Sequence, residues 1–96
     1  MTNTRQVLYN PDGPGQRVSV LTGGSNSIPW TGNSPAALVQ AIGDDLWYML
    51  GGGAPTPGTA HLLKQNELQV WSAASVRVAS FRAANVNAGL QVQPLA

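Results

Sequence analysis

Side chains that could carry out chemistry are few in this sequence, and they do not converge on one motif. The acidic and imidazole groups are Asp12, Asp44, Asp45, Glu67 and His61, and the chain contains no cysteine. Acid–base catalysis needs paired groups with shifted pKa values in a pocket. Asp12, Asp44 and Asp45 lie in turn-like stretches that contain glycine. Aspartates in such positions usually stabilise the turn itself, so we assign all three to turns.

The remaining candidates for chemistry lack essential partners. Asp44 and Asp45 could bind a divalent cation, but no further oxygen ligands lie nearby in the sequence. As a general base, His61 would need a nucleophile and an orienting carboxylate. The three glycines at 51–53 lack the lysine and the spacing of a phosphate-binding loop. We therefore predict that the protein is not an enzyme and binds no cofactor or metal ion.

The composition favours association with other proteins. Only 9% of the 96 residues are charged, against roughly 25% in ordinary soluble domains. A charge-poor surface loses little desolvation energy when a neighbour covers it, although an ordinary neutral β-domain has a similar composition. Small domains often depend on disulfides, metals or oligomerisation for stability. With no cysteine and one histidine, we expect this chain to depend on copies of itself or on a partner.

Charge and hydropathy argue against two other classes of partner. The basic residues are Arg5, Arg17, Lys64, Arg77 and Arg82. They are scattered along the chain, whereas nucleic-acid binding relies on a basic patch. The longest strictly apolar run, 46–50, is far shorter than the ~20 residues of a membrane-spanning helix. The first ten residues lack the apolar segment of a signal peptide, which predicts synthesis in the cytoplasm.

Short β-compatible runs separated by glycine and proline dominate the chain. We predict an all-β fold, an antiparallel β-sandwich or jelly-roll of about seven to eight short strands. Residues 1–4 are predicted to form a flexible N-terminal arm, and residues 5–96 a single β-sandwich domain. The predicted strands are 6–9, 17–22, 60–63, 68–71, 76–81 and 89–93, with two more in the middle of the chain.

The middle segment, 36–50, permits two structures. The serine and proline at 34–35 could be the N-cap and the first-turn proline of a helix. Apolar residues then recur every four positions, as they would on one face of that helix. Against a helix, the Gly-Asp-Asp triplet at 43–45 combines three residues of poor helix propensity at its centre. The same triplet makes a good tight turn. We therefore predict a hairpin of strands 37–42 and 46–50.

The three tryptophans are the main candidates for contact residues. Trp30 lies in a loop rich in proline and glycine, and loop aromatics are common interface anchors. Trp47 and Met49 share one face of a strand that is apolar on both faces, so one face must meet another layer or another chain. Packing in the core is the alternative for Trp47 and for Trp71. We predict an interface containing Trp30, Trp47, Met49, Trp71 and Arg5; exposed tryptophans could instead stack on sugar rings.

The second half of the chain, residues 37–92, resembles small virion proteins of tailed phages, of the head-decoration or cement type. The shared pattern is a strand, a Gly-Asp turn (43–45), an aromatic strand ending in glycine (46–51), a Pro/Thr/Ala loop (55–60), an apolar pair and polar turn (62–67), two strands (68–71 and 76–81), and a closing Gly-Leu-x-Val (89–92). The pattern consists of strands and turns and covers just over half of the chain.

This resemblance implies a β-sandwich that sits on a capsid shell or within the virion, often as a dimer or trimer. The implied partner is the major capsid protein or another virion protein, and the implied location is the virion after synthesis in the host cytoplasm. A protein that binds only the assembled lattice stabilises it by its binding free energy. We therefore expect a decoration or cement protein. The alternative is a tail- or fibre-associated module that binds surface carbohydrate through exposed tryptophans.

Overall fold

The computed structural model describes residues 10–23, 25–30, 32–51 and 53–96, which form eight strands and one short helix. The strands are β1 (Gln16–Val20), β2 (Asn26–Ser27), β3 (Ala36–Ile42), β4 (Leu46–Leu50), β5 (His61–Leu63), β6 (Leu68–Ser72), β7 (Ala79–Ala83) and β8 (Ala88–Leu95). The helix α1 (Ala73–Val78) lies between β6 and β7. In this part of the chain, no helix is long and apolar enough to cross a membrane.

The strands of the described residues form two antiparallel four-stranded sheets. The strand order is β1-β8-β3-β6 in the first sheet and β2-β7-β4-β5 in the second. The pairs β1–β8, β2–β7, β3–β6 and β4–β5 join the two halves of the chain like one long hairpin folded over on itself. This is the topology of a jelly-roll, and it confirms the predicted all-β sandwich.

Alternating residues of the first sheet form one side of the core. Val39 and Ala41 on β3 and Leu90 and Val92 on β8 are fully buried. Val39 pairs with Val92, and Ala41 pairs with Leu90. The predicted final strand, 89–93, is therefore confirmed. Since successive side chains of a strand point to opposite faces, the residues between these four lie on the outer face of the sheet.

An aromatic cluster joins the two sheets across the core. Trp71 comes from the first sheet, and Tyr48 and Phe81 come from the second. The ring centroids of Trp71 and Phe81 lie 5.6 Å apart with the planes nearly parallel, at 11°. Tyr48 lies 5.0 Å from Trp71 and 6.3 Å from Phe81. Phe81 is fully buried, so its side chain fills the centre of the contact between the sheets.

Segment 36–50 is extended, as predicted, but the predicted hairpin pairing is wrong. β3 lies in the first sheet and β4 lies in the second, so the two strands do not pair with each other. Gly43, at a φ of 92°, allows the sharp turn that leads from one sheet to the other. Each strand has an apolar inward face, and opposite sheets bury these faces against each other. The pattern strand–turn–strand is the same in both arrangements.

The predicted strand 76–81 is wrong over its first half, where the chain forms α1. Ser72 caps this helix: its Oγ accepts a hydrogen bond from the Ser75 N–H at 3.2 Å. Val76 is fully buried and Val78 is 47% exposed. In a strand these two valines would share one face. This short helix, about one and a half turns long, carries the chain from the first sheet to the second.

The predicted strand 6–9 and the predicted arm 1–4 lie outside the described residues. The description begins at Asn10, whose N–H donates to the Ala96 carbonyl at 3.3 Å and whose carbonyl accepts from the Ala96 N–H at 2.8 Å. Pro11 then pairs with Leu95. Since β3 occupies the other side of Leu95, the chain enters at the β1 edge of the first sheet.

Candidate protein-interaction surfaces

Asp44 holds two turns together. Its carboxylate is buried and accepts hydrogen bonds from the backbone N–H groups of Asn85 at 2.6 Å, Val86 at 2.9 Å and Asp45 at 2.8 Å. The bond from Val86 has the largest effect on the pKa of Asp44, which is lowered even though burial acts in the opposite direction. Asp44 thus attaches the β7–β8 turn to the turn between β3 and β4, which agrees with its predicted structural role.

The other carboxylates also bond to neighbouring segments. Asp45 Oδ1 accepts from the Gln65 N–H at 2.7 Å, and Asp12 Oδ2 accepts from Ser34 Oγ at 2.6 Å. Glu67 Oε1 accepts from the Lys64 N–H at 3.0 Å, and Glu67 Oε2 accepts from Gln69 at 3.0 Å. Within the described ranges, no group of three or more His, Cys, Asp or Glu lies close enough together to hold a metal ion.

Trp47 and Met49 lie on the outer face of the second sheet. Their neighbours along β4, Leu46 and Tyr48, point toward the core. Trp47 pairs with Leu62 on β5 and with Arg82 on β7, so these three side chains form one cross-strand row. Leu62 is 36% exposed, whereas the other two and Met49 are half-buried. We call Trp47, Met49, Leu62 and Arg82 the Trp47 surface.

Trp30 lines a pocket of about 320 Å³ between its own loop and the ends of β1 and β8. The pocket walls contain Asp12, Pro14, Gln16, Pro29, Gly32, Asn33, Ser34, Val92 and Pro94. The ring of Trp30 is half-buried and packs against the core. Its Nε1–H is buried and has no hydrogen-bond partner among the described residues. Such an unpaired buried donor is uncommon in folded proteins.

Of the remaining residues predicted for the interface, one lies in the core and one is not described. Trp71 is only 8% exposed; it stacks on Phe81 and donates its Nε1–H to Gln69 Oε1 at 2.8 Å. The structure therefore gives Trp71 the core role that was the alternative in the sequence analysis. Arg5 lies outside the described residues. The predicted set is thus not one surface: Trp47 and Met49 lie together, and Trp30 lies apart.

A second apolar surface was missed from the sequence. Leu68 and Val70 on β6 are 54% and 52% exposed. They lie on the outer face of the first sheet, where Val70 pairs with Leu38 and Leu68 pairs with Gln40. We call Leu38, Leu68 and Val70 the β6 patch. The sequence signal at 68–71 is weaker than at 46–50, because Leu68 and Val70 share one face while the polar Gln69 shares the other with Trp71.

Comparison with protein-family models, with curated proteins and with solved structures finds no match for this chain. A functional proposal therefore depends on the surfaces themselves and on the resemblance in sequence pattern. The Trp47 surface and the β6 patch lie on the outer faces of different sheets. One domain thus presents apolar side chains on two opposite sides, and the two sides can be tested separately.

Proposed function

We propose that this protein is a virion structural protein of the decoration or cement type, which binds the capsid shell through protein–protein contacts. The observation that carries the proposal is the Trp47 surface, in which Trp47 and Leu62 form an apolar row beside Met49 and Arg82. Tryptophan, methionine and arginine are enriched at protein interfaces, and tryptophan and arginine are frequent hot spots. Such a surface suits a protein partner.

Two further features support this proposal. Jelly-roll domains occur in viral capsids and in lectins, although a fold alone does not define a function. The chain is also poor in charge, with 9% charged residues. A lattice that covers its surface therefore has few charged side chains to remove from water. Many copies bound to one shell would each add their binding free energy to the stability of the shell.

Replacing Trp47 with alanine is expected to weaken binding to capsid shells roughly thirtyfold, since a hot-spot tryptophan contributes about 2 kcal/mol. The probe is an empty shell assembled from the purified major capsid protein of a tailed phage. Binding is measured by co-sedimentation over a range of concentrations. Circular dichroism of the variant checks that the β-sandwich remains folded.

A matched pair of charge substitutions provides the control for shell binding. Leu62→Glu places a carboxylate on the Trp47 surface, and Val86→Glu places one on the turn between β7 and β8, at a valine that is 56% exposed. We expect the first to abolish co-sedimentation and the second to leave it unchanged. Equal binding by both variants would contradict the role of this surface. A wild-type chain that ignores shells would contradict the proposed function.

One observation favours the carbohydrate-binding alternative. The Trp30 pocket, at about 320 Å³, falls at the small end of the usual range for ligand pockets, roughly 300–1,000 Å³. It combines an aromatic ring with amide and carboxylate side chains from Gln16, Asn33 and Asp12. These groups can exchange hydrogen bonds with sugar hydroxyls, and the unpaired Nε1–H of Trp30 offers a further donor.

If this pocket binds sugar, glycans will change the tryptophan fluorescence of the wild-type chain. Trp30→Ala is expected to lose that response, while Trp47→Ala on the opposite sheet keeps it. The measurement is a fluorescence titration across a broad glycan panel, followed by calorimetry on any hit. Absence of a response across the whole panel would exclude the carbohydrate function and leave the shell-binding proposal unaffected.

A further inference from the structure

Among the described residues, β6 is one of the two outer strands of the first sheet, and β1 is the other. The hydrogen bond from the Ala73 N–H to the Pro35 carbonyl, at 2.9 Å, sets the phase of the ladder between β6 and β3. In antiparallel strands, hydrogen-bonded pairs alternate with pairs that are not hydrogen-bonded. Odd-numbered residues such as Gln69 therefore bond to β3. The backbone N–H and C=O groups of Leu68 and Val70 are directed away from β3, toward the outer edge.

This edge lacks the features that usually protect an outer strand from pairing. Proteins place lysine, proline, a bulge or a very short strand at such an edge. β6 has five residues, Leu-Gln-Val-Trp-Ser, with no charge and no proline. The other outer strands of the described chain differ: β1 carries Arg17, β2 has two residues and β5 has three. The first described residue, Asn10, lies at the opposite edge of the first sheet, beside β1.

We propose that two copies of this chain pair through β6, antiparallel, about a two-fold axis at Gln69. In this register Leu68 of each copy faces Val70 of the other, and the outward backbone groups of these residues form about four hydrogen bonds. The two β6 patches then join into one apolar surface, with Leu38 flanking the pairs on each side. A two-fold interface is self-complementary, as this register requires.

The neighbouring register is disfavoured by the helix that follows β6. An axis at Val70 would place Ser72 of one copy opposite Leu68 of the other. Ser72 is the N-cap of α1, and its Oγ is bonded to the Ser75 N–H. The chain leaves the strand conformation at Ala73, so this register would bring α1 against the start of the second copy's strand. The axis at Gln69 leaves Ser72 and α1 outside the paired segment.

Pairing one short strand from each copy buries a small area compared with most protein interfaces. We therefore expect a dimer whose population depends on concentration. The inference does not rest on shell binding, because it uses the edge of the first sheet and leaves the Trp47 surface on the second sheet exposed. A chain that dimerises but ignores shells would refute only the proposed function. A monomeric chain that binds shells would refute only the pairing through β6.

Val70→Lys tests the pairing. The new ammonium group would lie beside Leu68 of the second copy, and its stem and charge would oppose the apolar contact. We expect the dissociation constant of the dimer to rise by roughly tenfold or more, measured by sedimentation velocity. Val86→Lys adds the same charge at a valine of similar exposure, 56% against 52%, and is expected to leave dimerisation unchanged. A wild-type chain that is monomeric at every concentration, or a dimer that persists in Val70→Lys, would overturn the proposal.

Single cysteines test the register, since the native chain has none. At the axis, the two copies of residue 69 would form a pair without backbone hydrogen bonds, with Cα atoms about 4.5 Å apart, within disulfide range. Gln69→Cys should therefore cross-link on mild oxidation much faster than Val70→Cys, whose copies are not directly opposite. Faster cross-linking of Val70→Cys would overturn the proposed axis. If Gln69→Cys does not fold, the two lysine variants still decide whether β6 pairs.

Discussion

Replacing Phe81 with alanine is expected to lower the free energy of unfolding by about 4 kcal/mol, the largest loss we predict for a single substitution. Phe81 is fully buried. It stacks on Trp71 at 5.6 Å and contacts the Tyr48 ring at 6.3 Å between centroids. Removing the ring would leave a cavity in the layer that joins the two sheets. Domains of this size have only about 5–15 kcal/mol of stability in total.

Denaturant unfolding followed by tryptophan fluorescence measures this loss, with Trp30 and Trp47 contributing to the signal besides Trp71. Phe81→Leu retains most of the buried volume and is expected to cost less than about 1.5 kcal/mol. Leu62→Ala removes a leucine from the exposed outer face and is expected to change stability by less than half as much as Phe81→Ala. If Phe81→Ala unfolds at the same denaturant concentration as the wild type, Phe81 does not hold the sheets together.

The fold class could be predicted from the sequence because strand periodicity is a local property. Val18 and Val20 on β1, and Leu90 and Val92 on β8, alternate with polar residues, and all but Val18 are fully buried. Alternation identifies a strand and its inward face. It contains no information about which strands pair. In this protein the pairs join residues as distant as Val20 and Ala88.

The two errors in the predicted elements have the same origin: in each case the local sequence is compatible with two structures. The triplet at 43–45 favours a tight turn, and a tight turn serves a hairpin and a passage between sheets equally well. The alternation of Val76, Arg77 and Val78 suits a strand, but Ser72 supplies a helix cap and Ala73 and Ala74 have high helix propensity. A capping serine three residues before another serine is a weak signal in a chain that is otherwise β-rich.

The candidate surfaces were only partly predictable, for a related reason. The doubly apolar pattern of 46–50 predicted a strand with apolar side chains on both faces. Trp47 and Met49 lie on its outward face, where no other layer of the described residues fully covers them. At 68–71 one face carries Leu68 and Val70 and the other carries Gln69 and Trp71. This pattern did not reveal that Trp71 points inward and that Leu68 and Val70 point outward. Which face of β6 points inward is decided by its pairing with β3 in the folded sheet, and the local sequence of β6 does not contain this information.

Removing the carboxylate of Asp44 is the second large effect that we expect. Asp44→Ala would leave the backbone N–H groups of Asn85, Val86 and Asp45, now bonded at 2.6, 2.9 and 2.8 Å, without their acceptor. Asn85 and Val86 are exposed residues, so water can replace the carboxylate at some of these N–H groups. A donor left unsatisfied costs roughly 1–3 kcal/mol, and we expect a total loss of about 3 kcal/mol in the free energy of unfolding. Asp12→Ala removes the same charge at an exposed carboxylate that accepts a single side-chain hydrogen bond, from Ser34 Oγ at 2.6 Å, and we expect it to cost about 1 kcal/mol.

Acid should reproduce part of the Asp44 effect in the wild type. The pKa of Asp44 is lowered in the folded state, chiefly by the hydrogen bond from Val86. At acid pH the folded state therefore binds fewer protons at this site than the unfolded state does. Its contribution to stability is therefore complete above the unfolded pKa of about 3.9 and is lost as the pH falls through the lower, folded pKa. Asp44→Asn has no proton to bind and should flatten this acid limb of the stability curve, which denaturant titrations from neutral to acid pH measure. An unchanged acid limb in Asp44→Asn would assign the pH dependence to another carboxylate and would show that the two turns are held together without the charge of Asp44.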